Sequence, residues 1–167
     1  MIGSNVIVLI GPMGVGKTTI GKKLAANLNV PFRDTDAMFV KRFGEITAYF
    51  ASHGEEAFRA HEEDIIAEAI AEPGVVATGG GAILSAATQQ RLKAVSVVYL
   101  STDGTHMGKR ISQGNRPLLK DGLNDWRAIY EKRKPIYEAN CDFQIDCSGT
   151  PIKDSVAEIK TRLKLND

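Results

Sequence analysis

The chain has 167 residues, enough for one domain with a sizeable buried core. Charged residues make up 25% of it, and 21 basic side chains balance 20 acidic ones, leaving a formal net charge of +1. This balance provides no general attraction to nucleic acid or to an anionic membrane surface, so we expect neither as a partner.

The apolar runs span at most about five residues, far fewer than a membrane-spanning helix needs. The first residues lack the basic region of a signal peptide and lead directly into an apolar strand, so we expect a cytoplasmic protein. Cys141 and Cys147 lie about 20 Å apart along one predicted strand, beyond disulfide reach. The three histidines, His53, His61 and His106, show no metal-ligand spacing, and no zinc site is predicted.

The run Val6–Ile10 is apolar and mostly β-branched, which predicts a strand buried on both faces. It leads into Gly-x-x-x-x-Gly-Lys-Thr over Gly11–Thr18, and a helical pattern follows. This strand–loop–helix order is typical of a phosphate-binding loop (Walker A motif), here called the phosphate loop. We predict that Lys17 reaches the β- and γ-phosphates of a nucleoside triphosphate and that the hydroxyl of Thr18 binds Mg²⁺. The predicted nucleotide-binding residues of this region are Gly11, Met13, Gly14, Val15, Gly16, Lys17, Thr18 and Thr19.

The segment Val30–Arg33 predicts a short second strand, with Asp34 and Asp36 at its carboxyl end. Ligands bind at the carboxyl ends of strands in an open parallel sheet, so both carboxylates are expected beside the phosphate loop. One could order Mg²⁺ while the other accepts the proton of an attacking hydroxyl. The alternative is that Asp36 only caps the next helix, which is predicted to begin at Ala37.

The motif Ser52–Glu55 matches a capping box and predicts that a helix begins there, with Phe58 heading its buried stripe. Arg59 and Glu62 are three positions apart on this helix and can form an ion pair. A surface pair of little energetic value is one interpretation. Glu62, however, falls within or beside the apolar stripe, where a charge is unusual unless it serves a purpose.

A third strand is predicted over Val75–Thr78, and the glycine segment Gly79–Gly81 follows it. Consecutive glycines let another group approach the backbone closely, although a flexible turn is the alternative. A helix from Ser85 to Lys93 and a fourth strand from Val95 to Leu100 come next. Neither strand ends in an acidic residue, so an ordinary Walker B aspartate is missing and Asp34 is the better candidate for the metal.

A helix is predicted from Asp103 to Ile111, and a polar, basic loop follows it. With Arg110 before this loop and Arg116 inside it, residues 112–123 suit a small lid that closes over phosphates and excludes water. A solvated basic loop is the alternative.

The last third of the chain predicts a helix from Asp125 to Asn140, with Arg133 in its second half and Pro135 kinking or shortening it. The alternation from Cys141 to Cys147 predicts a strand, and Thr150-Pro151 suits the N-cap and first position of a final helix. Alternating strands and helices predict a three-layer α/β/α fold, with a parallel sheet of about five strands in one domain spanning residues 1–167.

Together these motifs resemble the shikimate kinase family, a branch of the nucleoside monophosphate kinase-like P-loop NTPase fold. The likeness runs from Val6 to about Leu163. It rests on the phosphate loop and on five further motifs: Asp34-Thr-Asp36, residues 54–63, Thr78–Gly81, Arg116-Pro-Leu-Leu and Lys132–Tyr137.

The resemblance implies transfer of the ATP γ-phosphate to the 3-hydroxyl of shikimate, with Mg²⁺ as the cofactor, and we expect a monomer. It implies that Asp36 holds the substrate hydroxyls and acts as the base, that Asp34 orders the Mg²⁺ shell, and that Arg116 reaches the transferring phosphoryl group with Lys17. Within the substrate-binding segment, about residues 34–62, Arg59 would bind the carboxylate and Glu62 would position it.

The resemblance also assigns residues outside that segment. Arg133 and the backbone of Gly79, Gly80 and Gly81 would complete the carboxylate site. Arg110 and the region of Pro151 would border the adenine. The lid looks slightly shorter than in some relatives.

Two other functions are open to such a sequence. A kinase of the same fold could act on another small hydroxy acid, such as gluconate, or on a nucleoside monophosphate, although two arginines favour an acid over a nucleotide. A nucleotide-switched binding protein of the GTPase kind is a different class. Residues Asp146–Gly149 match its loose Asp-x-x-Gly motif, but the sequence contains no Asn-Lys-x-Asp guanine motif.

Overall fold

A computed structural model of the chain describes residues 5–107 and 122–165. Within these ranges five strands alternate with six α-helices and one short 3₁₀ helix. Their bounds are β1 Val6–Ile10, α1 Lys17–Leu28, β2 Phe32–Asp34, α2 Thr35–Phe43, α3 Ile46–Ala69, β3 Gly74–Ala77, 3₁₀ Ala82–Leu84, α4 Ala86–Leu92, β4 Ser96–Ser101, α5 Gly122–Ala139, β5 Phe143–Asp146 and α6 Ile152–Arg162.

All strand pairs in the sheet are parallel, and the strand order is β2-β3-β1-β4-β5. Every residue of β1 is buried, as its unbroken apolar run predicts. Val8 in β1 lies between Val76 in β3 and Val97 in β4. The predicted α/β fold with five parallel strands is confirmed.

Alternate side chains of the strands pack into two separate cores, one on each face of the sheet. Ile7 and Leu9 face a core shared with α1 and α6. Val6, Val8 and Ile10 face a core shared with α3, α4 and α5. Helices therefore cover both faces, and the carboxyl edge of the sheet is left for the loops that form the site.

Helix α3 differs from its prediction at both the start and the middle. It begins at Ile46, and Gly54 interrupts it with φ 85° and ψ 169°. A helical segment does begin at this point, after Gly54, but Ser52 lies in the segment before the kink and Glu55 is paired with Arg59 at 3.8 Å, so the predicted capping box is wrong. The polar residues at 52–55 mark a kink, and the second half of α3 carries the residues that reach the site.

The predicted N-terminal ends of two other helices, α2 and α6, also differ from the structure. Helix α2 begins at Thr35, and Asp34 caps it, so the alternative that Asp36 is the cap is wrong. Helix α6 has Pro151 at its N-cap, so the predicted cap by Thr150 is wrong. The Thr150 hydroxyl instead donates to carbonyls within its own turn, those of residues 146 and 148.

Two further predictions concern the region before α5. Residues 103–106 form a turn and the first helical residue is Met107, so the predicted helix does not begin at Asp103. Its remainder lies outside the described residues. Residues 122–123, which the lid prediction included, belong to α5, and α5 continues through Pro135 to Ala139. In the two described ranges no helix has both the length and the apolar character to cross a membrane.

A third, smaller core fixes α2 against α3. Phe39 is 1% exposed and packs edge-on against Phe58, with ring centroids 4.8 Å apart. Ile65 completes this cluster. Because α2 carries Asp36 and α3 carries Arg59, this packing sets the distance between two predicted site residues.

Replacing Phe39 by alanine is expected to lower the free energy of unfolding by about 3–5 kcal/mol, because it empties a closed aromatic cluster. Chemical denaturation monitored by circular dichroism measures the loss. Phe43→Ala is the control, since Phe43 lies on the same helix and is 41% exposed. It is expected to cost less than about 1.5 kcal/mol. Equal losses would show that Phe39 is not the centre of the cluster.

Candidate active site

The phosphate loop joins β1 to α1 and turns tightly against strand β4. A Cβ atom at Gly11 would lie 2.5 Å from the carbonyl oxygen of Leu100, so only glycine permits this approach. The N–H of Val15 donates to the carbonyl of Pro12 at 3.4 Å. Gly16 has φ 111° at the start of α1, a left-handed conformation that favours glycine. The loop places a helix N-terminus at the carboxyl edge of the sheet, an arrangement that binds phosphate.

Lys17 and Thr18 begin α1 and bring the predicted phosphate and metal chemistry to this edge. The Lys17 ammonium donates to the carbonyls of Gly11 and Pro12 at 2.7 and 2.8 Å. The Thr18 hydroxyl donates to Oδ2 of Asp34 at 2.7 Å. The two predicted metal-binding side chains are therefore in direct contact.

Asp34 holds a fixed position because its second carboxylate oxygen is also bonded. Oδ1 accepts from the N–H groups of Asp36 and Ala37, at 2.9 and 3.2 Å. The negative charge sits at the N-terminus of α2, where the helix dipole stabilises it. Asp34 lies beside Ala77 in the sheet, so the glycine segment begins only two residues beyond its neighbour.

These groups surround one cleft of about 470 Å³. It brings together the phosphate loop, both aspartates and the glycine segment, although they are far apart in the sequence. The lining residues are Met13, Gly14, Gly16, Lys17, Thr18, Thr19, Asp34, Asp36, Thr78, Gly79, Gly80 and Ile152.

Some predicted residues lie elsewhere. The side chain of Val15 is buried in the core with α1 and α6, and Gly11 packs against β4, so neither lines the cleft. Pro151 is exposed beside Ile152, which does line it. Arg110 and Arg116 lie outside the described residues.

The glycine segment is in contact with several predicted site residues. A Cβ at Gly79 would lie 2.7 Å from Oδ1 of Asp36 and 3.0 Å from Oε2 of Glu62. A Cβ at Gly81 would collide with the guanidinium of Arg59. The close approach expected at these glycines is present, so the segment is not a free turn.

Arg59 and Glu62 form an ion pair that is not on the surface. Nη1 of Arg59 lies 2.8 Å from Oε1 of Glu62, and Glu62 is only 5% exposed. The interpretation as a surface pair is therefore wrong. Oε2 of Glu62 is buried and has no hydrogen-bond partner within the described ranges. Burial raises the pKa of Glu62 above its ordinary value, and Asp36 adds to this effect, whereas Arg59 and Arg133 oppose it.

Arg133 reaches the same place from helix α5. It is 7% exposed, and its Nη1 lies 3.5 Å from the position of a Cβ at Gly80. Two more side chains of α5 contact the site: Trp126 donates to the carbonyl of Met13 at 2.8 Å, and Tyr137 donates to the carbonyl of Gly80. Neither Trp126 nor Tyr137 was among the predicted site residues, although Tyr137 closes the motif that begins at Lys132.

This arrangement offers two adjoining binding sites of different chemistry. The phosphate loop suits the phosphates of a nucleotide, while the buried guanidinium of Arg133 and the partly exposed one of Arg59, beside a glycine backbone, suit a small carboxylate. Asp34 and Asp36 lie between them. A phosphate donor and an acidic acceptor could thus meet at a pair of carboxylates.

Comparison with known proteins agrees with this geometry. The family model for shikimate kinase matches residues 13–164 of the chain. A shikimate kinase from Francisella tularensis subsp. novicida is 40% identical over 98% of this chain and 97% of its own. The chain belongs to the shikimate kinase family.

Solved shikimate kinases share the structure as well. The enzyme from Acinetobacter baumannii, solved in complex with shikimate, has a TM-score of 0.91 and 33% identity, covering 98% of this chain and 95% of its own. The enzyme from Bacteroides thetaiotaomicron has a TM-score of 0.85 and 29% identity, covering 96% and 98%. A gluconokinase from Sinorhizobium meliloti, with a TM-score of 0.66 and 20% identity, shares the fold alone.

These comparisons confirm the predicted family, the P-loop kinase fold and the class of phosphotransferase. They favour the shikimate kinase interpretation over the gluconate kinase and GTPase-type alternatives, since relatives of that name cover nearly the whole chain.

The buried carboxylate of Glu62 makes a testable contribution to stability. Its pKa in the folded protein is raised above the ordinary value of 4.5, so the folded state binds this proton more tightly than the unfolded state. Its contribution is therefore most favourable at low pH and is lost as the pH rises through the raised pKa. The stability difference between the wild type and Glu62→Gln is expected to fall as the pH rises above about 4.5.

Urea denaturation of both proteins at a series of pH values measures this difference. Glu56→Gln replaces an exposed glutamate of the same helix and is the matched control, expected to follow the wild-type profile. If the stability difference between the wild type and Glu62→Gln rises with pH instead, the ion pair with Arg59 outweighs burial. The pKa of Glu62 would then be lowered in the folded protein, not raised.

Proposed function

We propose that this protein transfers the γ-phosphoryl group of ATP to the 3-hydroxyl of shikimate, as a single kinase domain. One observation carries the proposal: the phosphate loop and Asp36 share a cleft with the glycine segment, against which Arg59 and Arg133 pack, in a chain of the shikimate kinase family. We expect it to act as a cytoplasmic monomer, with residues 34–62 binding the acceptor and residues 112–121 forming the lid.

In this proposal the carboxylate of shikimate binds between Arg59 and Arg133. A guanidinium group matches a carboxylate in shape and charge, and both arginines are at most partly exposed. The amides of the glycine segment add donors on the third side. Glu62 keeps Arg59 in place through the 2.8 Å ion pair.

The triphosphate of ATP binds along the phosphate loop, with Lys17 moving from the loop carbonyls to the phosphate oxygens. Thr18 and Asp34 would hold Mg²⁺, since hydroxyl and carboxylate oxygens are its preferred ligands. Within the described ranges no cluster of three or more His, Cys, Asp or Glu side chains could hold a metal. Magnesium suits such a site because it takes its other ligands from water and phosphates. When bound, it would neutralise negative charge on the β- and γ-phosphate oxygens.

Asp36 is the proposed base. Its carboxylate lines the cleft and lies against Gly79, between the acceptor pocket and the phosphate loop. From there it can hold the 3-hydroxyl and accept its proton as the oxygen attacks phosphorus. Most of the rate acceleration in phosphoryl transfer comes from positioning the reactants and from stabilising negative charge in the transition state. One proton acceptor is therefore enough for the chemistry. Arg116 would stabilise the transferring group from the lid, and Arg110 and Pro151 would border the adenine.

The decisive test is ADP release from Mg·ATP with shikimate, gluconate and AMP compared side by side. Strong stimulation by shikimate alone is expected, because relatives named shikimate kinase cover nearly the whole chain and AMP has no carboxylate for the two arginines. Stimulation by gluconate or AMP instead would overturn the substrate while preserving the phosphate loop. Slow release that no acceptor accelerates would favour a nucleotide switch.

The assignment of Asp36 has its own test. Asp36→Asn removes the proton acceptor but keeps the size of the side chain, so turnover is expected to fall by about 10²- to 10⁴-fold. ATP affinity, measured by calorimetry, is expected to stay close to the wild-type value. Asp64→Asn, on an exposed position of α3, is the control for a changed charge. A large loss of ATP affinity in Asp36→Asn would contradict a role on the acceptor side.

A further inference from the structure

Tyr137 lies behind the acceptor pocket and has no part in the mechanism described above. It is 1% exposed and lies on α5, one helical turn after Arg133. Its hydroxyl donates to the carbonyl oxygen of Gly80, 57 residues earlier in the chain. Tyr137 does not line the cleft, so any effect on the substrate must pass through the groups that its hydroxyl contacts, the glycine segment and Arg133.

The geometry of a peptide unit shows what this hydrogen bond controls. The carbonyl of Gly80 and the N–H of Gly81 belong to one planar trans unit, in which the two groups point in opposite directions. Fixing the carbonyl therefore fixes the direction of the Gly81 amide. Glycine has more conformational freedom than any other residue, so three glycines in succession depend on outside contacts for their orientation.

The residues around Gly80 explain why that orientation matters. Gly81 lies directly against the guanidinium of Arg59, and Gly80 lies beside that of Arg133. The peptide held by Tyr137 thus joins two glycines, each of which lies beside one of the proposed carboxylate ligands. A rotated peptide would replace a donor by a carbonyl oxygen there, which would repel an anionic substrate.

The tyrosine itself is well fixed. Its ring stacks on Tyr99 of β4, with centroids 5.1 Å apart and planes 25° apart. Burial raises the pKa of Tyr137 to about 12, against the opposing effect of Arg133, so the hydroxyl keeps its proton throughout the neutral range. It can therefore act as a permanent donor to Gly80.

We propose that Tyr137 is a positioning residue for the acceptor: its hydroxyl holds the Gly80–Gly81 peptide so that the glycine amides, with Arg59 and Arg133, present donors to the carboxylate of the substrate. This inference rests on the proposed function.

Tyr137→Phe removes the hydroxyl and keeps the ring. The KM for shikimate is expected to rise about three- to tenfold, the value of one hydrogen bond, while the KM for ATP changes less than about twofold. Tyr130→Phe is the matched control because Tyr130 is a buried residue of the same helix whose hydroxyl bonds to Tyr99. It is expected to affect stability without changing the KM for shikimate.

An unchanged KM for shikimate in a folded Tyr137→Phe, or equal changes in both variants, would overturn the proposal. A purely structural role predicts a smaller active fraction, seen as a lower kcat at constant KM. If the wild type shows no shikimate-dependent ADP release, the proposed function fails and this inference fails with it. If the wild type is stimulated and Tyr137→Phe behaves like it, only the role of Tyr137 fails.

A second measurement uses the unaltered protein, should Tyr137→Phe not fold. In ¹⁵N-labelled wild type, the amide resonance of Gly81 is expected to move strongly when shikimate is titrated in. The amide of Gly54, at the kink of α3, serves as the reference and is expected to move little. A Gly81 amide that does not respond while the enzyme turns over shikimate would overturn the proposal.

Discussion

The site depends on the absence of side chains at Gly79–Gly81. Asp36 and Glu62 approach the backbone of Gly79 so closely that a Cβ would lie within 3.0 Å of both carboxylates. Real Cβ atoms do not tolerate such distances, so any other residue would displace these two carboxylates from their present positions. The same backbone contacts Arg59 on one side and Met13 of the phosphate loop on the other. The phosphate loop and the proposed acceptor-binding residues can lie this close together only because the segment between them has no side chains.

This close packing also removes charged side chains from water, which is energetically unfavourable. Glu62 and Arg133 are both less than 10% exposed, and Arg59 is mostly covered. Removing charged groups from water is unfavourable unless they are paired, and the raised pKa of Glu62 reflects this penalty. The two guanidinium groups lie among three carboxylates: Glu62, Asp36 beside Gly79, and Glu55, which is 3.8 Å from Arg59. A guanidinium has five N–H donors, so each arginine can pair with these groups and still bind the carboxylate of the proposed acceptor.

The sequence predicted the parts of the molecule that local patterns encode. The apolar run Val6–Ile10 and the following motif establish β1 and the phosphate loop, because their chemistry is contiguous in the chain. Asp34 was placed beside them by a topological rule about parallel sheets, and its contact with Thr18 agrees with that rule.

Errors arose where backbone geometry and distant contacts decide. The residues from Ser52 to Glu55 predicted a capping box at a helix start. A helical segment does begin after Gly54, but the backbone of this glycine forms a kink within α3 where a Ser52 cap was expected. The bond from Tyr137 to Gly80 spans 57 positions, and no periodicity marks it. From sequence alone, a tyrosine on the buried face of a helix is interpreted as a core residue. The hydrogen-bond partner of its hydroxyl becomes known only from the three-dimensional structure.

Helix α5 gives these distant contacts a common origin. Trp126 donates to the carbonyl of Met13 in the phosphate loop, and Tyr137 donates to the carbonyl of Gly80 in the glycine segment. The two side chains are eleven positions apart, three helical turns, so they lie on one face of α5. Phosphoryl transfer requires the attacking oxygen and the phosphorus to be aligned closely. A single helix bonded to both loops fixes their separation more rigidly than two independent contacts would, because any movement of one loop must be shared by the other.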